Sequence, residues 1–246
     1  MEDIKIIYED ENILAVNKPA GLVVHGPDSL VDWLLKNYPE IKEVGEDASR
    51  PGIVHRLDKD TSGVILVAKN QKSFEYLKEQ FSAPSLELKK EGRDLALGGQ
   101  NRKIKKNYLV LVDGIIKENS GIINLPIAKS KNDFRKKEAR PEVRLRGFEV
   151  GLQREAITEY KVLKKFDKFT LLEAYPKTGR THQIRVHFKA IGHPIVGDKL
   201  YGKKEQILSR QFLHAKSLEF INLDGSRIKL EADLPDDLKN FLNMLD

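Results

Sequence analysis

The sequence predicts an α+β fold with a mixed, largely antiparallel central sheet and flanking helices. Three observations predict it. Strand-like apolar runs greatly outnumber helical ones. Many of those runs are joined by turns too short for the crossover that parallel neighbours need. The 246 residues, 40% hydrophobic and 33% charged, suffice for a sizeable core and contain no internal repeat and no proline- or serine-rich linker.

Taken in order, Ile4 to Tyr8 and Ile13 to Val16, split by Glu9-Asp10-Glu11-Asn12, predict a hairpin. Lys18-Pro19-Ala20-Gly21 ends its second strand, because proline has no N–H for a central ladder. Ser29 is placed to cap a helix with Leu30, Val31, Leu34 and Leu35 at helical spacing, and Asn70 a second with Phe74, Leu77 and Phe81 on one face. Between them, Arg50-Pro51-Gly52 predicts a turn and Val64-Ile65-Leu66-Val67-Ala68 a buried strand. Further strands are expected at Tyr108 to Val112, Gly121 to Leu125, Ala156 to Leu163, Phe169 to Ala174, Phe212 to Phe220 and Ile228 to Ala232, and a last helix after Pro235. Residues 82–99 read as an irregular connection, and one of that length is usually functional or mobile.

No run approaches the roughly 18 apolar residues of a membrane span. Met1-Glu2-Asp3-Ile4 opens a strand-like segment instead of a basic-then-apolar signal, so a cytoplasmic protein is expected. Zero cysteines exclude disulfides, thiolate zinc sites and cysteine nucleophiles. Gly-x-Ser-x-Gly and both glycine-rich phosphate patterns are missing. His182 and His187 diverge by about 140° on a helix, so no metal is expected there.

The net charge of +6 favours an anionic partner. Between Lys129 and Arg146, eight basic residues stand against three acidic ones, a net +5, so nearly the whole excess sits in one segment. A phosphate-contacting surface looks like this, and so does a solvated loop.

Three clusters carry chemistry. His55-Arg56-Leu57-Asp58-Lys59-Asp60-Thr61-Ser62-Gly63 sets two carboxylates beside a buried strand, where Thr61 and Ser62 can bond local backbone and Gly63 permits close approach. In Thr178-Gly179-Arg180-Thr181-His182-Gln183-Ile184-Arg185-Val186-His187, donors at Arg180, Gln183 and His187 precede or join a helix that Thr178 or Thr181 can cap. Lys103-Ile104-Lys105-Lys106-Asn107-Tyr108 runs basic residues into an aromatic, which suits phosphate contact plus base stacking, or else an amphipathic edge strand with Tyr108 in the core.

Together and in order, these strings resemble the RluA-type family of RNA pseudouridine synthases. The resemblance also takes in Asn17-Lys18-Pro19-Ala20-Gly21-Leu22 and Gly192-His193-Pro194-Ile195-Val196-Gly197-Asp198, and so covers nearly the whole chain. It implies the pseudouridine synthase fold with an RNA-binding cleft, and a reaction that detaches uracil from ribose C1′, rotates it and rejoins it through C5 with no cofactor. The family's catalytic aspartate falls on Asp58, its base-packing tyrosine on Tyr108, and the basic residue that pairs with the aspartate on Arg185. Arg56 matches an arginine that helps displace the flipped nucleotide. His55, Lys106, Arg180, His182, Gln183 and His187 are expected to contact RNA.

The resemblance also shapes what is expected of the whole. The chain is read as one catalytic domain over 1–246 without an S4 domain, with an insertion at 82–99. Its partner is ribosomal RNA, large-subunit RNA foremost, and/or transfer RNA, with no obligatory protein partner and a monomeric state. A non-catalytic RNA-binding or RNA-folding chaperone on the same scaffold is the alternative, and an N-glycosidic hydrolase a further one.

Overall fold

The computed structural model describes residues 4–82, 104–130, 133–139, 154–203 and 207–245. Strands β1 (Ile6–Glu9) and β2 (Ile13–Lys18) form the expected antiparallel hairpin. Asp10 closes its turn by accepting the amides of Asn12 and Ile13 at 2.7 and 2.8 Å. Helix α1 (Leu30–Asn37) starts at Ser29 in a reciprocal capping box with Asp32. Strand β3 (Ser62–Ala68) is buried at every position, as its unbroken apolar run requires. Helix α2 (Gln71–Ser82) starts where Asn70 Oδ1 accepts the Ser73 amide at 2.9 Å.

There follow β4 (Lys105–Asp113), β5 (Ser120–Asn124), β6 (Ile127–Lys129), β7 (Lys137–Ala139), β8 (Ile157–Lys165) and β9 (Phe169–Pro176). Helix α3 (Gln183–Ala190), β10 (Leu213–Ile221), β11 (Arg227–Glu231) and α4 (Asp236–Asn243), with Pro235 as its N-cap, complete the order. The fold is α+β with mostly antiparallel pairing, as the sequence predicts. Three elements were not expected: a 3-10 turn at Pro39–Glu43 and the short pair of β6, which ends where the basic segment begins, with β7 inside it. Residues 83–99 of the expected insertion lie outside the described residues, as do Lys103, Lys131, Arg140, Arg144 and Arg146.

The residues group into two compact units. The first comprises Met1–Lys59, Val64–Lys105 and Ser217–Ala232. It holds β1, β2, most of β3, both early helices and the β10–β11 hairpin, around Leu14, Val16, Leu30, Ile65, Leu77 and Phe220. The second comprises Asp60–Gly63, Lys106–Lys216 and Asp233–Asp246. Its antiparallel run β4–β9–β8–β5 packs around Val110, Leu111, Leu172, Phe188, Phe212 and Leu238. There Ser62 and Gly63 pair in parallel with His214 and Ala215. Gly63 has φ +116, and a Cβ on it would lie 2.2 Å from the Ala215 carbonyl oxygen, so only glycine fits. No helix among the described residues is long and apolar enough to cross a membrane.

Candidate active site

In the first unit, the loop that leads to β3 carries His55, Arg56 and Asp58. Leu57 is buried, Arg56 exposed, and His55 and Asp58 half-buried. His55 Nε2 accepts the Leu66 amide at 2.9 Å, so in the neutral ring the proton sits on Nδ1. The ring also stacks on Phe81 with centroids 4.5 Å apart. His55 thus ties the loop to β3 and α2.

Lys18 is the residue that sequence reasoning missed. Its side chain is wholly buried, and its ammonium donates to the carbonyls of Pro19, Leu22 and Lys59 at 2.8, 2.8 and 3.0 Å. The Gly21 amide reaches the same Lys59 oxygen at 3.0 Å. Lys59 directly follows Asp58, so Lys18 fixes the backbone on which that carboxylate stands. A lysine ending the apolar run Ile13-Leu14-Ala15-Val16 was the available signal, since such a charge is buried only when it is well bonded.

In the second unit, residues 60–63 are held from a distance. Arg210 Nη1 donates to the Asp60 carbonyl at 3.2 Å, Gln211 Nε2 to Thr61 Oγ1 at 3.2 Å, and Ser62 Oγ meets His214 Nδ1 at 3.0 Å. Arg210 is itself gripped by both carboxylate oxygens of Asp237, at 2.7 and 3.0 Å. The expectation that the Thr61 and Ser62 hydroxyls bond local backbone is therefore corrected: the partners found for them are side chains 150 and 152 residues away.

Helix α3 differs from expectation at its start. His182 is the N-cap, in a left-handed conformation with φ 57, so neither Thr178 nor Thr181 caps it. The Thr178 hydroxyl instead donates to Gln183 Oε1 at 2.7 Å, and Gln183 Nε2 donates to the Ile157 carbonyl at 2.9 Å and Thr158 Oγ1 at 3.1 Å. His187 Nε2 lies 2.9 Å from the Leu125 carbonyl, so it carries the proton, and Nδ1 accepts the Thr158 hydroxyl at 2.9 Å. Burial pushes the His187 pKa down and keeps the ring neutral. Gln183 and His187, expected among the RNA contacts, are buried and committed to this interior network.

Arg185 is buried on the same helix. It forms a two-pronged ion pair with Asp198, Nε to Oδ2 at 2.7 Å and Nη2 to Oδ1 at 2.9 Å, and its guanidinium lies 5.1 Å from the centre of the Tyr201 ring. Burial alone would raise the Asp198 pKa, but the bonds and charge of Arg185 and the amides of Leu200 and Tyr201 hold it below the usual carboxylate range. The Tyr201 hydroxyl accepts the Lys137 amide at 2.8 Å and lies 2.9 Å from His182 Nδ1.

Tyr108 and Lys106 lie two residues apart on one face of β4. This strand is no edge: it pairs with β9, and Leu111 donates to the Phe212 carbonyl at 3.3 Å on its other side. Tyr108 is half-buried against the second unit's core. Burial, with the nearby Arg180 charge, lowers the Lys106 pKa to about 8. The Lys106 ammonium has the Thr178 carbonyl at 3.4 Å and no acidic partner among the described residues. On the opposite face, Asn107 donates to Glu173 at 3.0 Å, which also accepts Lys216 at 2.8 Å and the Tyr175 hydroxyl at 2.5 Å. Of the expected site residues, the first unit thus offers the half-buried carboxylate of Asp58, and the second a phenol, a fixed guanidinium and cations suited to phosphate.

Residues 12–190, which include all three clusters, match the sequence pattern of a family described as RNA pseudouridylate synthase. The chain is 42% identical to an uncharacterized RNA pseudouridine synthase of Aquifex aeolicus, over 85% of this chain and 60% of that protein. It is 38% identical to a ribosomal large subunit pseudouridine synthase D of Nitrosomonas europaea, over 98% of this chain and 65% of that one. The chain therefore spans about three fifths to two thirds of the length of these relatives. Among solved structures, human RNA pseudouridylate synthase domain containing 4 superposes with a TM-score of 0.73 at 26% identity, covering 98% of this chain and 92% of that one.

Proposed function

Because the chain belongs to the RNA pseudouridylate synthase family, we propose that it converts specific uridines of RNA to pseudouridine with Asp58 as the catalytic carboxylate. Large-subunit ribosomal RNA is the foremost substrate, with transfer RNA the second. The observation that carries the assignment is the fixation of Asp58: Lys18 and Gly21 both grip the carbonyl of the next residue. A reacting group must be held to within a fraction of an ångström of its productive position.

In the reaction the N1–C1′ bond breaks, uracil turns, and a C5–C1′ bond forms. The C5 proton leaves and N1 gains one, so the product has the mass of the substrate. Asp58 removes the C2′ proton to give a glycal and returns it when the C-glycoside forms. Tyr108 packs against the base and assists removal of the C5 proton, and Arg185 is the basic residue that tunes the catalytic aspartate. Arg56, exposed on the Asp58 loop, displaces the target nucleotide from its stack. Lys106, Arg180 and His182 contact RNA. Residues 1–246 act as one catalytic domain, in the cytoplasm and as a monomer, without metal or cofactor.

The test is to incubate the protein with uridine-containing RNA and assay mass-neutral conversion to pseudouridine. Released uracil would indicate the hydrolase, and binding without change the chaperone. Asp58→Asn is expected to abolish conversion while RNA binding persists; continued turnover would remove Asp58 from its role.

A further inference from the structure

We propose that the turn Asp133–Lys136, beside β6–β7, is an RNA-gripping finger, with Phe134 stacking on an unpaired base and Lys129 and Lys137 holding neighbouring phosphates. The inference rests on RNA being the substrate and adds where it is held.

Phe134 is 90% exposed, more than any other large apolar side chain among the described residues. A single exposed apolar group is ordinary. This one sits on a turn that is stiffened in advance. The Asp133 carboxylate accepts the Arg135 amide at 3.0 Å and its guanidinium at 3.0 and 2.9 Å. The Lys136 amide reaches the Asp133 carbonyl at 2.9 Å, and the Ser130 amide reaches the Lys136 carbonyl at 3.0 Å. A ring held out on a turn whose backbone is already bonded in shape loses less entropy when it meets a flat partner than one on an unbonded loop.

The strands beside it carry an electrostatic conflict. Lys129 and Lys137 stand directly opposite each other in the β6–β7 register. Like charges so placed destabilise a hairpin. Neither lysine has an acidic side-chain partner among the described residues: Asp133 is engaged with Arg135 and lies 4.0 Å from Lys136, and Glu138 bonds Ser130. A phosphate near the pair would relieve the repulsion.

The finger is also tied to the proposed catalytic helix. The Lys137 amide donates to the Tyr201 hydroxyl, and the Tyr201 ring lies against Arg185. An exposed aromatic beside two lysines that have no acidic partner among the described residues matches the chemistry of single-stranded nucleic acid, where bases stack on rings and phosphates meet lysines. A duplex hides its base faces and offers no such partner.

The test compares binding to a stem–loop RNA with a uridine loop and to a blunt duplex of the same stem. Phe134→Ala is expected to weaken stem–loop binding on the order of tenfold and to leave duplex binding and the melting temperature unchanged. Phe134→Trp should retain affinity, with loop RNA quenching its emission beyond any change at Trp33, the chain's one natural tryptophan. Lys129→Gln with Lys137→Gln should flatten the salt dependence by about 0.7 per lysine. Phe134→Ala binding the stem–loop within about twofold of wild type, or losing affinity equally for both RNAs, overturns the finger. If the wild type still converts that RNA, the finger alone falls. If the wild type binds neither RNA, the finger falls together with the substrate reading. If Phe134→Ala weakens loop binding but the wild type forms no pseudouridine in that RNA, in large-subunit ribosomal RNA or in transfer RNA, the finger stands and the reaction falls.

Discussion

Arg185 meets Asp198 through two near-parallel hydrogen bonds of 2.7 and 2.9 Å, with both side chains buried. Loss of one partner of a buried pair leaves a charge without compensation, at a cost of about 3–5 kcal/mol. Asp198→Asn keeps the shape and removes the charge, so it is expected to lower stability by about 3 kcal/mol in urea titration. The Asp198 carboxyl is held below its ordinary range, so its contribution is complete above the unfolded pKa and lost as pH falls through the folded one. The variant should therefore show a flatter acid limb in its stability profile.

Gly63→Ala tests the close pairing of β3 with β10. The added methyl meets the Ala215 carbonyl oxygen at 2.2 Å on a backbone with φ +116. Contact and conformation both oppose it, and a loss of about 3 kcal/mol or more is expected. A melting curve close to wild type would contradict the geometry.

Lys18→Met removes the donor that three carbonyls share. Stability should fall by about 2–3 kcal/mol, because hydrogen bonds to a charged group are strong and the oxygens are left buried. Hydrogen exchange at the Gly21 amide, which bonds the Lys59 carbonyl, should accelerate ahead of the rest of the first unit. RNA conversion should fall more than RNA binding, since the change acts on the Asp58 loop.

Lys106 predicts a pH dependence of RNA affinity. Its pKa is lowered to about 8 by burial and by Arg180, and a bound phosphate would favour the charged form. Binding then takes up a proton near and above pH 8, and wild-type affinity should fall more steeply than that of Lys106→Gln between about pH 7 and 9.5. Lys106→Arg should hold its affinity across that range. In the free protein the same shift makes folding more favourable as pH rises from about 8 towards the ordinary lysine value of 10.5.

The sequence revealed what is written locally. Ser29 and Asn70 mark helix starts because each cap side chain bonds its own next turn, and Pro235 because its missing N–H and fixed φ suit the edge of a helix. Alternation and apolar runs located the longer strands, whereas β6 and β7, three residues each in a charged segment, carry too little periodicity to register. Side-chain partners distant in sequence were hidden. Gln183 and His187 look like surface donors until Thr158 and Leu125 are seen to take them, and Thr61 and Ser62 look like turn formers until Gln211 and His214 appear. Residue types alone left Asp58 and Asp60 equivalent. The family resemblance chose between them, and the structure adds Lys18, which grips the residue after Asp58.

The enclosure of Lys18 also makes it a reporter. An amine with no solvent exposure and three carbonyls around it is closed to acylating reagents in the native protein. It becomes nucleophilic towards them only when those contacts part and the proton can leave. The rate at which Lys18 is acylated, read by peptide mass spectrometry, therefore clocks how often the Asp58 loop opens. Bound RNA that steadies the loop would slow that clock without touching the lysine itself.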